Sequence, residues 1–187
     1  PAYEDNIAMA HPASSGTAYT TFYTQVLRLG SEEAAMEYAK ELHPNILQYT
    51  KSGSASGPMA GRGEIAVSII FSHDCIANID EGFEDLAVVF PADGTGYEIG
   101  AQALIANAPH PNNAKTWIDW ALQADTQSIG PEVRAFQLPT NPDAEVSEFA
   151  VDISQVNLVD YDFQGAGEAR TRLTEQFEDE VAAAPEE

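Results

Sequence analysis

Positive charge is what this chain has least of. Lys and Arg together number 8 against 30 Asp and Glu, a formal net charge of -22 over 187 residues. Nucleic acid and anionic membrane surfaces would repel such a chain, so both are excluded as partners. The lone cysteine, Cys75, excludes an internal disulfide; in its apolar setting (Phe71 to Ile76) it reads as a small buried hydrophobe. No apolar run reaches the ~18 residues of a membrane span, and no leader pattern opens the chain. It begins with Pro1 and Ala2 rather than Met, as expected of a processed or excised piece. No internal repeat is visible.

What is present describes a globular protein: 44% hydrophobic and 9% aromatic residues, enough for a sizeable core. The acids are scattered singly and in pairs, which gives a solvated acidic surface suited to salty surroundings. Asn6 to Ala10 reads as a short buried strand. The turn Pro12-Ala13-Ser14-Ser15-Gly16-Thr17 follows, and then Ala18, Phe22, Val26 and Leu29 recur at helical spacing up to Gly30, with Tyr19 and Tyr23 as core residues. Ser31 caps a second helix with Ala35, Tyr38, Ala39 and Leu42 as its stripe, ended by Pro44. Thr50 to Gly63 is a loop with one helical turn.

Glu64 to Phe71 is β-branched almost throughout, as a strand covered on both faces would be. It stops at Ser72-His73-Asp74. Leu86 to Phe90 and Tyr97 to Ala106 read as further strands on either side of the turn Asp93-Gly94-Thr95-Gly96. Asn112 to Gln123 reads as a helix burying Ala114, Trp117, Ile118, Ala121 and Leu122. Gly167 to Ala183 is a polar helix whose narrow stripe (Ala169, Leu173, Phe177, Val181) suits the edge of the fold.

Strands alternating with helices predict an α/β layer architecture, a sheet with helices on both faces. Ligands of such sheets bind outside the carboxyl ends of the strands. Three candidate ends carry polar or glycine-rich turns: Ser14 to Thr17, Ser72 to Asp74, and Asp93 to Glu98. At the first, free N–H groups of a helix start and the hydroxyls of Ser14, Ser15 and Thr17 can gather around an anion without any lysine or arginine. The same residues also suit a plain helix cap.

Several segments, in order, resemble the solute-binding proteins of bacterial ABC importers, in the type II branch of the ferric-iron, phosphonate and phosphoglycerate binders. They are His11 to Thr17, Asn45-Ile46-Leu47-Gln48-Tyr49-Thr50-Lys51-Ser52-Gly53-Ser54, Gly63 to Val67, Gly94-Thr95-Gly96-Tyr97-Glu98-Ile99-Gly100, Asn112 to Leu122, and Gln137-Leu138-Pro139-Thr140-Asn141. The resemblance implies a type II periplasmic-binding-protein-like fold, three-layered, with two lobes closing on a ligand. It implies an incomplete two-lobe architecture: residues 6–84 as a second-lobe core, 85–145 returning toward the first lobe, and 146–187 as a C-terminal helical segment. The front half of the first lobe would be absent, or supplied by another chain.

The resemblance also implies an extracytoplasmic receptor, periplasmic or tethered to the membrane, passing a small anionic or metal-containing solute to a permease. Ser15, Gly16 and Thr17 match the anion-holding position. In the ferric-iron binders two adjacent tyrosines follow the Gly-Glu strand; here the place reads Ser72-His73-Asp74 with no tyrosine, a departure that sets iron in question: the pair could offer imidazole and carboxylate to a ligand, or be a polar strand end hydrogen-bonded to nearby backbone. Thr95, Tyr97 and Glu98 complete the candidate ligand-binding set. No resident cofactor is expected, and ferric ion is at most the cargo. Two alternatives stay open: a hydrolase using Ser15 with His73 and Asp74, although Ser15 lacks a Gly-x-Ser-x-Gly elbow, and an acidic adaptor domain without a small ligand.

Overall fold

A computed structural model of the chain describes residues 3–186. Three short parallel strands form the sheet, in the order β2-β1-β3: β1 Ile7–Ala10, β2 Ile46–Thr50 and β3 Val67–Ile69. Ile7, Ala8 and Met9 of β1 pair with Val67, Ser68 and Ile69, while Met9 and Ala10 pair with Tyr49 and Thr50. Every residue of β1 is buried, as a central strand covered on both faces requires. The α/β class holds.

Helix α1 (Gly16–Leu29) is capped by Ser15, whose hydroxyl accepts from Ala18 N at 3.4 Å, and it closes at Gly30 in a left-handed conformation (φ 82°). Helix α2 (Glu32–Leu42) begins at Ser31 with two acids in its first turn, where the helix dipole favours them. Its inward face is Ala35, Met36 and Ala39; Tyr38, expected inside, is exposed beneath the Arg28 guanidinium. Strand β2 was not expected, whereas the short α3 (Gly57–Gly61) that follows it is the helical turn expected within Thr50 to Gly63.

Past β3 the chain departs from expectation. Ser72–Asp80 is helix α4, so Ser72-His73-Asp74 opens a helix rather than merely ending a strand. Cys75 lies on it half-buried, its thiol pushed above its ordinary value by burial. Leu86 to Phe90 and Tyr97 to Ala106 form no strands. A strand needs a neighbour to satisfy its backbone, and among the described residues these segments have no strand paired with them.

The chain divides into two compact units, residues 1–97 with 152–187, and residues 98–151. Both hydrophobic clusters belong to the first. The last helix, α7 (Phe163–Glu180), sits at the centre of the larger cluster, not at an edge. Ala166 and Ala169 are small enough to let α1 approach, so that Tyr19 Oη donates to Ala166 O at 2.5 Å, and Leu173 and Phe177 fill the space beyond. Arg172 forks onto Glu32 at 2.6 and 2.7 Å, fastening α7 to α2. In the second unit, α5 (Pro111–Ala121) and α6 (Ala124–Gln127) are short helices. The expected buried face of α5 is turned out: Trp117 and Leu122 are exposed and Ala114, Ile118 and Ala121 are only half-buried. Among the described residues no helix is long and apolar enough to cross a membrane.

Candidate functional site

Because β1, β2 and β3 run parallel, their carboxyl ends share one edge of the sheet, and each feeds a polar segment. From β1 comes His11 to Thr17. The amides of Ser14 and Ser15 both bond His11 O, Ser15 is buried as the cap, and the N–H groups of Gly16 and Thr17 have no partner among the described residues. From β2 comes Lys51 to Ser54. Ser14 Oγ donates to Lys51 O at 3.3 Å, and Gly53 rests directly on the start of α1. A Cβ at Gly53 would overlap Thr17 Oγ1 and lie 3.1 Å from Ser15 Oγ, so only glycine lets the two segments meet.

From β3 comes α4. Its cap position is Phe71, which offers no side-chain acceptor, and the N–H groups of Ser72 and His73 are unpaired among the described residues. The His73 ring stacks on Phe71 (centroids 5.4 Å apart, 22° between planes), and His73 Nε2 lies 3.8 Å from Asp74 Oδ1. At the start of this helix the two adjacent side chains come within reach of each other. Burial pushes the Asp74 carboxyl above its ordinary value, with His73 pulling it back. The Ser56 and Ser68 hydroxyls, 2.7 Å apart, join the β2–α3 connection to β3. The sheet edge therefore offers two helix starts with free amide donors, three hydroxyls, an imidazole and a carboxylate.

The third expected turn is placed elsewhere. Thr95 is held by a bridge to the segment before α7 (Thr95 N to Asn157 O, 2.9 Å; Val159 N to Thr95 O, 3.0 Å). Gly96 abuts Thr24, two turns along α1, about 10 Å from Thr17. Arg28 and Asp93 lock this turn to the end of α1 at 2.7 Å. Tyr97 packs against Tyr161 and Phe163. Thr95 and Tyr97 thus serve packing here; Glu98 belongs to the second unit, where it is exposed.

Two residues that hold the site were not singled out from the sequence. Gly53 is one; its Ser-Gly-Ser setting after a β-rich run was the available signal. His11, which precedes Pro12, is the other. It is fully buried: Nδ1 accepts from Ala13 N at 3.1 Å, Nε2 donates to Ala182 O at 2.9 Å, and its ring meets Tyr49 and Phe177 edge-on. With both nitrogens occupied, His11 cannot act as a base toward Ser15, and Ser15 has no imidazole partner among the described residues, so a hydrolytic triad is not assembled. Nor do three His, Cys, Asp or Glu side chains among the described residues cluster as metal ligands.

Ligands of parallel α/β sheets bind outside the carboxyl ends of the strands, and comparisons with known proteins give the family. The family model for bacterial extracellular solute-binding proteins matches residues 1–164, and the chain belongs to that family. An uncharacterized protein of Haemophilus influenzae is 38% identical over 98% of this chain and 54% of its own length. The structure is similar to the periplasmic binding protein AfuA from Actinobacillus pleuropneumoniae, solved with exogenous fructose-6-phosphate bound (TM-score 0.91, 40% identity, 97% of this chain and 57% of that one). It is also similar to the periplasmic binding protein P5PA (TM-score 0.89, 36% identity, 97% and 58%). The chain thus spans a little over half the length of these relatives.

Proposed function

We propose that the chain forms part of a periplasmic receptor that captures a small phosphorylated solute and presents it to the permease of an ABC importer. The observation that carries this reading is the pairing of Gly53 with the start of α1. Gly53 packs against Thr17 and Ser15, and Ser14 Oγ donates to Lys51 O, which fixes this helix start with the N–H groups of Gly16 and Thr17 free among the described residues and the Thr17 hydroxyl beside them. Neutral donors converging at the positive end of a helix suit a phosphate group, and no lysine or arginine is needed. His73, Asp74 and the Ser72 amide are the polar groups next along the edge and suit the hydroxyls of the solute's organic part. Of the solute classes that the family resemblance suggests, an organophosphate is supported by the AfuA complex. Ferric ion has less support, since no ligand cluster is present among the described residues. Capture would proceed by closure of two lobes around the solute, without bond chemistry.

Calorimetric titration of the chain, extended to the length of its relatives, tests this with fructose 6-phosphate, fructose, inorganic phosphate, 2-aminoethylphosphonate, phosphoglycerate and ferric citrate. A phosphate ester should bind and unphosphorylated fructose should not. Gly53→Val should abolish that binding by driving a side chain into Thr17. Binding of ferric citrate alone, or of no phosphorylated compound, overturns the reading.

A further inference from the structure

Two of the three segments that meet at the sheet edge are kept free of acids. In a chain with 30 Asp and Glu, none falls within Ile7–Leu27, which carries β1 and the turn into α1. None falls within Leu42–Gly63 either, which carries β2 and the loop after it. Burial explains the first stretch, since β1 and the inner face of α1 lie in the core. It does not explain the second. Lys51, Ser52 and Ala55 are exposed, in the kind of position where this chain elsewhere places Asp and Glu. Together the two stretches hold only two Lys or Arg residues, Lys51 and Arg62, and Arg62 is engaged by Glu64 at 2.6 Å.

The other cations of the first unit are occupied in the same way. Each is tied to an acid or, for Arg170, laid over the Tyr19 ring. Lys51 alone has neither an acid nor a ring at its ammonium among the described residues of that unit. It stands one hydrogen bond from the candidate anion site. Ser14 Oγ donates to Lys51 O at 3.3 Å, and Gly53, two residues on, rests on Thr17. The unpaired charge is thus carried on a flexible four-carbon stem at the rim of the start of α1.

We propose that Lys51 is the capture residue of this site, the charge that draws the anionic end of a solute to the start of α1. The inference rests on the reading of that helix start as a phosphate site. Neutral amides and hydroxyls hold an anion at contact, but the field of a helix terminus fades within a turn. A chain with a net charge of -22 meanwhile repels an approaching anion. Salt at ~0.15 M screens exposed charges beyond ~8 Å, so the charges nearest the site decide the local field. Keeping acids out of both stretches and leaving one lysine unpaired between them makes that field attractive. A rim charge of this kind acts on the rate of association more than on the rate of escape.

Stopped-flow binding of fructose 6-phosphate, on the chain extended to the length of its relatives, tests this with Lys51→Gln, Lys51→Arg and Arg28→Gln. The last removes the same unit of charge about 18 Å along α1, beyond the reach of screened charge at ~0.1 M salt. At that salt, Lys51→Gln should slow association roughly three- to tenfold and change dissociation by less than about twofold; at ~1 M salt the difference should vanish. Lys51→Arg and Arg28→Gln should each associate within about twofold of the unaltered protein. Lys51→Gln should also melt where the unaltered protein does, because its side chain has no partner to lose. If the unaltered protein binds the ester and Lys51→Gln associates as fast, Lys51 has no such role and the phosphate site stands without it. A loss shared equally by Arg28→Gln is an effect of net charge, and one shared by Lys51→Arg is an effect of shape; either overturns the proposal. If the unaltered protein binds no phosphate ester, the reading of the site fails and the role of Lys51 fails with it.

Discussion

His11 Nε2 lies 2.9 Å from Ala182 O, a bond between residues 171 positions apart that ties the first strand to the end of the last helix. The same ring accepts from Ala13 N and so sets the path of the turn leading to Ser15. One buried imidazole thus couples the closure of the core to the shape of the candidate anion site. His11→Ala leaves Ala182 O and Ala13 N without partners and removes a ring packed on Tyr49 and Phe177. Urea unfolding should show a loss of about 2–4 kcal/mol; a loss under ~1 kcal/mol would contradict the role given to this bond.

Leu173 and Trp117 are both large side chains on helices, yet the consequences of truncating them should differ. Leu173 is fully enclosed by the core between α1, α2 and α7, so Leu173→Ala should cost roughly 2–5 kcal/mol. Trp117→Ala, on an exposed face of the 187-residue chain, should change stability by ~0.5 kcal/mol or less. Equal effects in parallel denaturant titrations would refute the central position of α7.

Asp74 is held above its ordinary value of 3.8 by burial, against the pull of His73. Its ionised form is therefore disfavoured by folding, and the stability tied to its protonated form is lost as pH rises through the folded value. Asp74→Asn should raise the melting temperature at pH 7, and the gain should disappear below about pH 3.8, where the carboxyl is protonated in both states. If Asp74 accepts a solute hydroxyl, the same substitution should weaken binding by about tenfold or more. A variant that melts earlier at pH 7 would show that the carboxylate is structural.

Alkaline pH should unfold the protein through its buried phenols. Burial pushes Tyr49 up to about 12 from 10.0, and Tyr19 is raised too, by burial first and then by Tyr161 and Tyr23. In the unfolded chain these groups ionise near 10.0. The stability they contribute is thus complete below pH 10 and lost as pH climbs toward 12. The urea midpoint should fall across that window, and Tyr49→Phe should flatten the fall. An unchanged slope in that variant would remove Tyr49 from the account.

Much of the first unit was legible because its signals are local. Ser15 and Gly30 bracket α1, Ser31 opens α2, and the four buried residues of β1 announce a central strand. The errors arose where a neighbour decides the outcome. A narrow stripe on α7 looked like an edge helix, because the sequence does not show that Ala166 and Ala169 admit α1 so closely. Leu86 to Phe90 and Tyr97 to Ala106 carry strand patterns without strands, since a ladder takes two partners. On α2, Tyr38 was expected inside and is exposed, while Met36 is buried.

By itself, the sequence determined the α/β class, the caps, the acidic surface and the polar turns at the ends of β1 and β3, because each follows from short-range spacing or from composition. Only the tertiary structure decided which of those turns meet. Parallel pairing puts Ser14 to Thr17 and Ser72 to Asp74 on one sheet edge, and a missing Cβ at Gly53 lets the β2 loop join them. The packing of Gly96 on Thr24 holds Thr95 some two helical turns away. Sterics between residues far apart in the chain made that choice, and no local pattern encodes it.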